Sequence, residues 1–198
     1  SNNVPLSVYD NLIKSIHNNL DSMYKYMDIR KRVLGVDELH MYDLYTPIVN
    51  DYKFEITFEE GVDLITKALA PLGEEYVEAM KEGFQSRWID IYENRGKRSG
   101  AYSSGSYDSK PFILLNYHNT LDNLFTVAHE MGHSMHSYFT RKYQPYVYGN
   151  YSIFVAEVAS TVNEALLLDY MIENAKNKNE KLYLINHYLE SFRTTVFR

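Results

Sequence analysis

Cysteine is absent from this chain of 198 residues. That excludes disulfide bonds and thiolate metal sites, and it leaves histidine and carboxylate as the side chains with which to hold a metal. Such a composition suits a reducing compartment, and a cytoplasmic location is expected. Long apolar runs are also missing: none reaches the roughly 20 residues of a membrane helix. Basic residues are outnumbered, with 20 Lys and Arg against 26 Asp and Glu and a net charge of −6. That balance argues against nucleic acid as a main partner. Tryptophan occurs once, at Trp88, where a core anchor is the expected role. What remains is 45% hydrophobic, enough for the core of one ordinary domain. Tyrosine is abundant, with 19 residues. Its apolar ring and polar tip suit half-buried positions and the walls of a wet cleft.

Periodicity predicts a mainly α chain. Ser1-Asn2-Asn3 is set apart as a cloning remnant. A helix is expected from Ser7 to Leu34, with Ile13, Ile16, Leu20, Met23 and Met27 as its apolar stripe and Gly35 closing it. Val36 to Phe54 reads as irregular, with Pro47 against any helix there. Thr57-Phe58-Glu59-Glu60 is a capping-box pattern that opens a helix ended by Pro71 and Gly73. Another helix is expected from Glu74 to about Glu93, with Tyr76, Met80, Phe84 and Trp88 on its stripe. Asn94 to Ser109 turns to glycine, serine and basic residues, the chemistry of a loop. Pro111 to Asn116 reads as a short apolar strand. Helices follow from Leu121, from about Ser152 to Lys176, and from Glu180 to Arg198, with the loop Tyr143 to Tyr151 joining the first two.

The chemistry concentrates at Thr126-Val127-Ala128-His129-Glu130-Met131-Gly132-His133. Residues at i and i+4 share one face of a helix, so His129 and His133 can reach one Zn²⁺. Glu130 projects roughly 100° around the helix. It is placed to act on water beside the metal, as the general base of a zinc hydrolase. Leu121, Leu124, Phe125, Ala128, Met131 and Met135 recur at helical spacing as the buried face, and Asn119 or Thr120 can cap the helix. Gly132 costs about 1 kcal/mol against alanine inside a helix, so close approach of another backbone or of substrate is expected there.

Glu157 is the candidate third ligand. It stands among Val155, Ala156, Val158 and Ala159, where a buried carboxylate needs a cation. Ser160 and Glu164 follow on nearby faces and are candidates to orient the ligand histidines. His136 shares the histidine face within roughly 60°. Three ligands from one helix would crowd one side of a tetrahedron, so His136 is read as a supporting or packing residue. A closed structural zinc between two helices is the competing reading, with His118 or His136 as fourth ligand. The glycine-rich run Gly100-Ala101-Tyr102-Ser103 offers bare backbone to an extended peptide. Neither nucleotide-binding glycine fingerprint matches it.

His-Glu-Met-Gly-His-Ser-Met-His at 129–136, Tyr-Ser-Ile-Phe-Val-Ala-Glu-Val-Ala-Ser at 151–160 and Arg-Ser-Gly-Ala-Tyr-Ser at 98–103 together resemble oligoendopeptidase F, among the thimet-oligopeptidase-like zinc peptidases. The segments 87–94 and 111–117 are similar to it as well, and the likeness runs from about Leu34 onward. The resemblance implies a multi-helix catalytic domain with a small β element near 100–117 and the zinc site between two helices. It implies one Zn²⁺ per chain on His129, His133 and Glu157, with Glu130 as catalytic base. The activity it implies is that of a zinc metalloendopeptidase, an oligopeptidase cutting internal bonds of short peptides. The family extends beyond both ends of this stretch. Residues 1–93 are therefore expected to be one helical part of that domain, 94–118 its substrate edge, 119–176 its zinc helices and 177–198 an incomplete helical segment. Downstream groups that help bind the substrate carbonyl in the family lie outside these residues, so the chain alone is expected to lack them.

Overall fold

The computed structural model describes residues 3–49 and 52–197. Ser1 and Asn2, set apart above, and the terminal Arg198 lie outside the described residues. The chain divides into two compact units, Phe54–Glu173 and Ser1–Lys53 with Asn174–Arg198. Among the described residues no helix is long and apolar enough to cross a membrane.

The unit built from the two ends holds α1 (Leu6–Asn18), α2 (Leu20–Leu34) and α7 (Lys178–Thr195). The expected single helix over 7–34 is two helices. Asn19 breaks it, with φ −115° and ψ 11°, and its side-chain Nδ2 donates to Ser15 O at 2.8 Å. An asparagine side chain that bonds a nearby carbonyl competes with the helical ladder. Gly35 closes α2 in the left-handed region, at φ 67°. Of the apolar stripe, Ile16, Leu20, Met23 and Met27 are half-buried and Ile13 is exposed; the fully buried residues are Tyr26 and Arg30 of α2. Arg30 is held by Glu190 at 2.9 Å and by the carbonyls of Asp43, Leu44 and Thr46 at 2.7–2.9 Å. The guanidinium thus satisfies backbone groups of the irregular stretch that α2 leads into.

The second unit carries α3 (Phe58–Ala68), α4 (Glu74–Gln85), a small sheet, α5 (Leu121–Tyr143) and α6 (Ile153–Glu173). The box at the start of α3 forms as written. Thr57 N donates to Glu60 Oε2 at 2.9 Å and Glu60 N donates to Thr57 Oγ1 at 3.3 Å. Replacing Thr57 by alanine removes both the side-chain cap and its tie to Glu60. The expected loss is about 1 kcal/mol of stability, read as a lower denaturation midpoint with an unchanged slope.

Helix α4 stops at Gln85, eight residues short of the expected end at Glu93. Arg87 takes φ 64°, and the chain enters strand β1 (Ile89–Asp90). Trp88 keeps the spacing of the stripe but reaches the core from this turn, at 2% exposure. Strand β2 (Tyr102–Ser104) lies inside the expected loop, and β3 (Phe112–Leu114) inside the expected strand. The order is β1-β3-β2. β1 runs parallel to β3 with Ile89 opposite Ile113, and β2 runs antiparallel to β3 with Ser103 opposite Ile113. Among the described residues β2 is therefore an edge strand of this sheet.

Thr120, not Asn119, caps α5, its Oγ1 accepting from Asn123 N at 3.2 Å. Every residue expected on the inner face of α5, from Leu121 to Met135, is buried.

Candidate metal centre

Three donors from two helices converge on one point. His129 and His133 stand one turn apart on α5, and their Nε2 atoms are 3.1 Å apart. Glu157, one turn into α6, brings Oε2 to 3.3 Å from each. A tetrahedral ion with bonds of about 2.0–2.1 Å holds its ligand atoms about 3.3–3.4 Å apart. The triangle of donors therefore fits such an ion in size as well as in chemistry, two neutral imidazoles and a carboxylate. Among the described residues these three form the group of side chains that could hold a metal ion.

The backbones that carry the donors touch. A Cβ built on Gly132 would lie 2.6 Å from Ser160 Cα and 2.8 Å from Ala159 O. Of the two reasons expected for a glycine there, close approach of another backbone is the one realised. Alanine and serine on α6 meet a glycine on α5, and the crossing sits between His129 and His133 on one helix and just past Glu157 on the other.

Supporting contacts fix two of the three donors, His129 and Glu157. Glu164 binds His129 Nδ1, which puts the imidazole proton on Nδ1 and leaves the Nε2 lone pair free for a metal. That hydrogen bond, ahead of any other influence, holds the His129 pKa above its ordinary value. Ser160, expected above to orient a histidine, bonds the third donor instead. Its Oγ sits 2.8 Å from Glu157 Oε2 and so orients the carboxylate. His136 packs instead of supporting the donors: its ring stacks on Tyr151 with centroids 3.6 Å apart, and burial lowers its pKa. His118 lies 3.8 Å from Glu93 Oε2. Neither candidate fourth ligand joins the group.

Apolar neighbours do not bury Glu157; its side chain is 60% exposed, and Val155 and Val158 are themselves exposed. Residues along a helix point in different directions, so a run of apolar letters around one position does not enclose it.

Glu130 lies between the donors and the sheet. It is buried, at 8% exposure. Burial is the main cause of a pKa raised above the ordinary carboxylate value, against which the histidines and a backbone hydrogen bond from Ser103 act. Ser103 also places its Oγ 2.8 Å from that of Ser134 on α5. These two contacts seat the edge strand beside Glu130. Tyr102, also on β2, is exposed. Gly100 and Ala101 precede it and line a cavity of about 330 Å³ with Leu115, Asn116 and Thr126. Of the predicted substrate run, Ser103 reaches Glu130 and Ser134, with its side chain turned inward, while Gly100 and Ala101 line the separate cavity.

Sequence reasoning missed Asn163 and Ser134, which are buried polar residues on α6 and α5. Asn163 Nδ2 donates to Ala128 O at 3.0 Å and its Oδ1 accepts from Tyr76 at 2.9 Å. A signal existed for Asn163. It stands beside Glu164 in a stretch otherwise apolar, Val162 to Leu168.

Comparison with known proteins points the same way. The family model described as peptidase family M3 matches residues 1–198. The chain is 58% identical over 198 residues to oligopeptidase PepF of Bacillus subtilis (strain 168), covering 100% of this chain and 30% of that protein. It is 54% identical over 199 residues to an oligoendopeptidase F homolog of Lactococcus lactis, covering 100% of this chain and 33% of the other. It spans about a third of the length of these curated relatives. A crystal structure of oligoendopeptidase-F from Enterococcus faecium superposes with a TM-score of 0.64 at 37% identity, over 100% of this chain and 27% of that one.

Proposed function

The chain belongs to peptidase family M3, and on that premise we propose that it carries the zinc site of an endopeptidase that hydrolyses internal bonds of short oligopeptides. The observation that carries the reading is the triangle of His129 Nε2, His133 Nε2 and Glu157 Oε2, with edges of 3.1–3.3 Å, set beside a buried glutamate and an edge strand. Three protein donors leave a tetrahedral ion one open position, the mark of a catalytic site.

In this reading His129, His133 and Glu157 hold the zinc, and Glu164 and Ser160 keep the first and third of these in place. Bound zinc supplies Lewis acidity, polarising a carbonyl and acidifying water. Glu130 accepts the proton of the attacking water and delivers it to the leaving amine. β2 receives the peptide in extended form along Gly100 to Ser103, with main-chain hydrogen bonds giving affinity. A cytoplasmic setting and substrates limited to short peptides belong to the same proposal, supported by the cysteine-free composition and by the relatives' names.

Elemental analysis of the purified chain tests it. One zinc per chain, lost in His129→Ala, is the expected result. A parent chain that holds no zinc after the metal is supplied would overturn the reading.

A further inference from the structure

Asn163 is a buried amide on α6, 1% exposed, and the mechanism above does not use it. Its Nδ2 donates to Ala128 O at 3.0 Å. A helix carbonyl keeps a second lone pair after its own i+4 bond, so this contact adds to the ladder of α5 without replacing a rung. The Asn163 Oδ1 is occupied by the Tyr76 hydroxyl at 2.9 Å. Tyr76 lies on α4 and is half-buried, and burial pushes its pKa up to about 12. The Ala128 carbonyl, which can only accept, turns Nδ2 toward α5, and the Tyr76 hydroxyl holds the other end of the amide from a third helix.

The position of this bond matters. Ala128 immediately precedes His129, and Asn163 immediately precedes Glu164, the residue that binds His129 Nδ1. One α-helical turn on, Gly132 meets Ser160 backbone to backbone. Two helices touching at a glycine can still slide or rotate about that contact. A directed hydrogen bond one turn away removes that freedom.

Resting on the zinc reading above, we propose that Asn163, oriented by Tyr76, is a positioning residue that sets the register of α6 on α5 and with it the ligand triangle. Partners outside the immediate ligands typically change metal affinity by about 10–100-fold.

The test measures zinc Kd by chelator competition, the thermal midpoints of the metal-free and zinc-loaded protein, and the visible spectrum of the Co²⁺-substituted protein, for the parent, Tyr76→Phe and Asn163→Asp. Tyr76→Phe keeps the ring and removes the hydroxyl alone, so it remains informative if Asn163→Asp fails to fold. The expected result for Tyr76→Phe is a Kd raised about 10-fold, a larger midpoint loss in the loaded than in the metal-free protein, and an altered Co²⁺ band. Equal midpoint losses in both forms, with Kd within about twofold of the parent, would show a merely structural bond and overturn the proposal. A parent chain that binds no zinc would overturn the zinc reading itself, and the positioning role would fall with it.

Discussion

Glu130→Gln is expected to leave zinc bound and to lower peptide hydrolysis by about 10²–10⁴-fold, the usual contribution of a positioned general base. The substitution changes little else. Glutamine has nearly the shape of glutamate, so the buried space beside α5 and β2 stays filled, and its amide oxygen can still accept the backbone hydrogen bond of Ser103. None of the three donor atoms is touched. What disappears is the capacity to accept a proton. A loss of that size corresponds to about 3–5.5 kcal/mol of barrier, far more than a packing change at this site would produce. The check is paired: zinc content, then cleavage of an internally quenched oligopeptide in the assay that detects cleavage by the parent. Hydrolysis within tenfold of the parent rate would remove Glu130 from the role of base. Loss of zinc would instead make it a structural support of the metal.

The pair His129 and His133 was legible because i, i+4 is a local rule: one helix and its pitch decide the face. Glu157 was legible as a carboxylate on a second helix, but the reason first given for it, enclosure by apolar neighbours, was wrong, since its side chain is 60% exposed. What was not legible depends on contacts between elements distant in sequence. Asn163 and Tyr76 are 87 residues apart, and Ser103 and Ser134 are 31 apart. No periodicity pairs them. The fold failed at two places for a different reason. The stripe of Tyr76, Met80, Phe84 and Trp88 has helical spacing throughout, yet α4 ends at Gln85. Burial of Trp88 satisfies the pattern without the helix continuing, because hydrophobic spacing reports which side chains go inward and not what backbone delivers them. At Asn19 the stripe likewise ran through a helix end, where a side chain bonded a carbonyl one turn back. Gly132 was the reverse case: an unfavourable residue in a well-formed helix, legible as an anomaly whose cause was another backbone.

That anomaly yields the second large effect. Gly132→Ala should raise helix propensity in α5, by about 1 kcal/mol on exposed-helix scales. Here the expected net result is destabilisation and loss of tight zinc binding. The added methyl would stand 2.6 Å from Ser160 Cα, 2.8 Å from Ala159 O and 2.9 Å from Ser160 N. All three are main-chain atoms of α6, so no side-chain rotation can make room. Ordinary contact needs about 3.5–4.0 Å between carbons, so α5 and α6 must separate by on the order of 1 Å at the crossing. Overpacking of this kind costs about 1–3 kcal/mol, which meets or exceeds the propensity gain. The effect on the metal is larger than the effect on the fold. The donors of α5 and α6 form a triangle with 3.1–3.3 Å edges, and the same displacement would carry Glu157 Oε2 beyond the span a zinc ion can bridge with bonds near 2.0–2.1 Å. The Asn163 bond to Ala128 O, 3.0 Å long, would be stretched past useful length at the same time. A zinc Kd raised by about 100-fold is the expected result, above the effect of losing one supporting contact. Chelator competition and thermal unfolding of Gly132→Ala measure both parts. An alanine variant that is more stable than the parent and binds zinc equally well would mean that α5 and α6 do not meet at this residue.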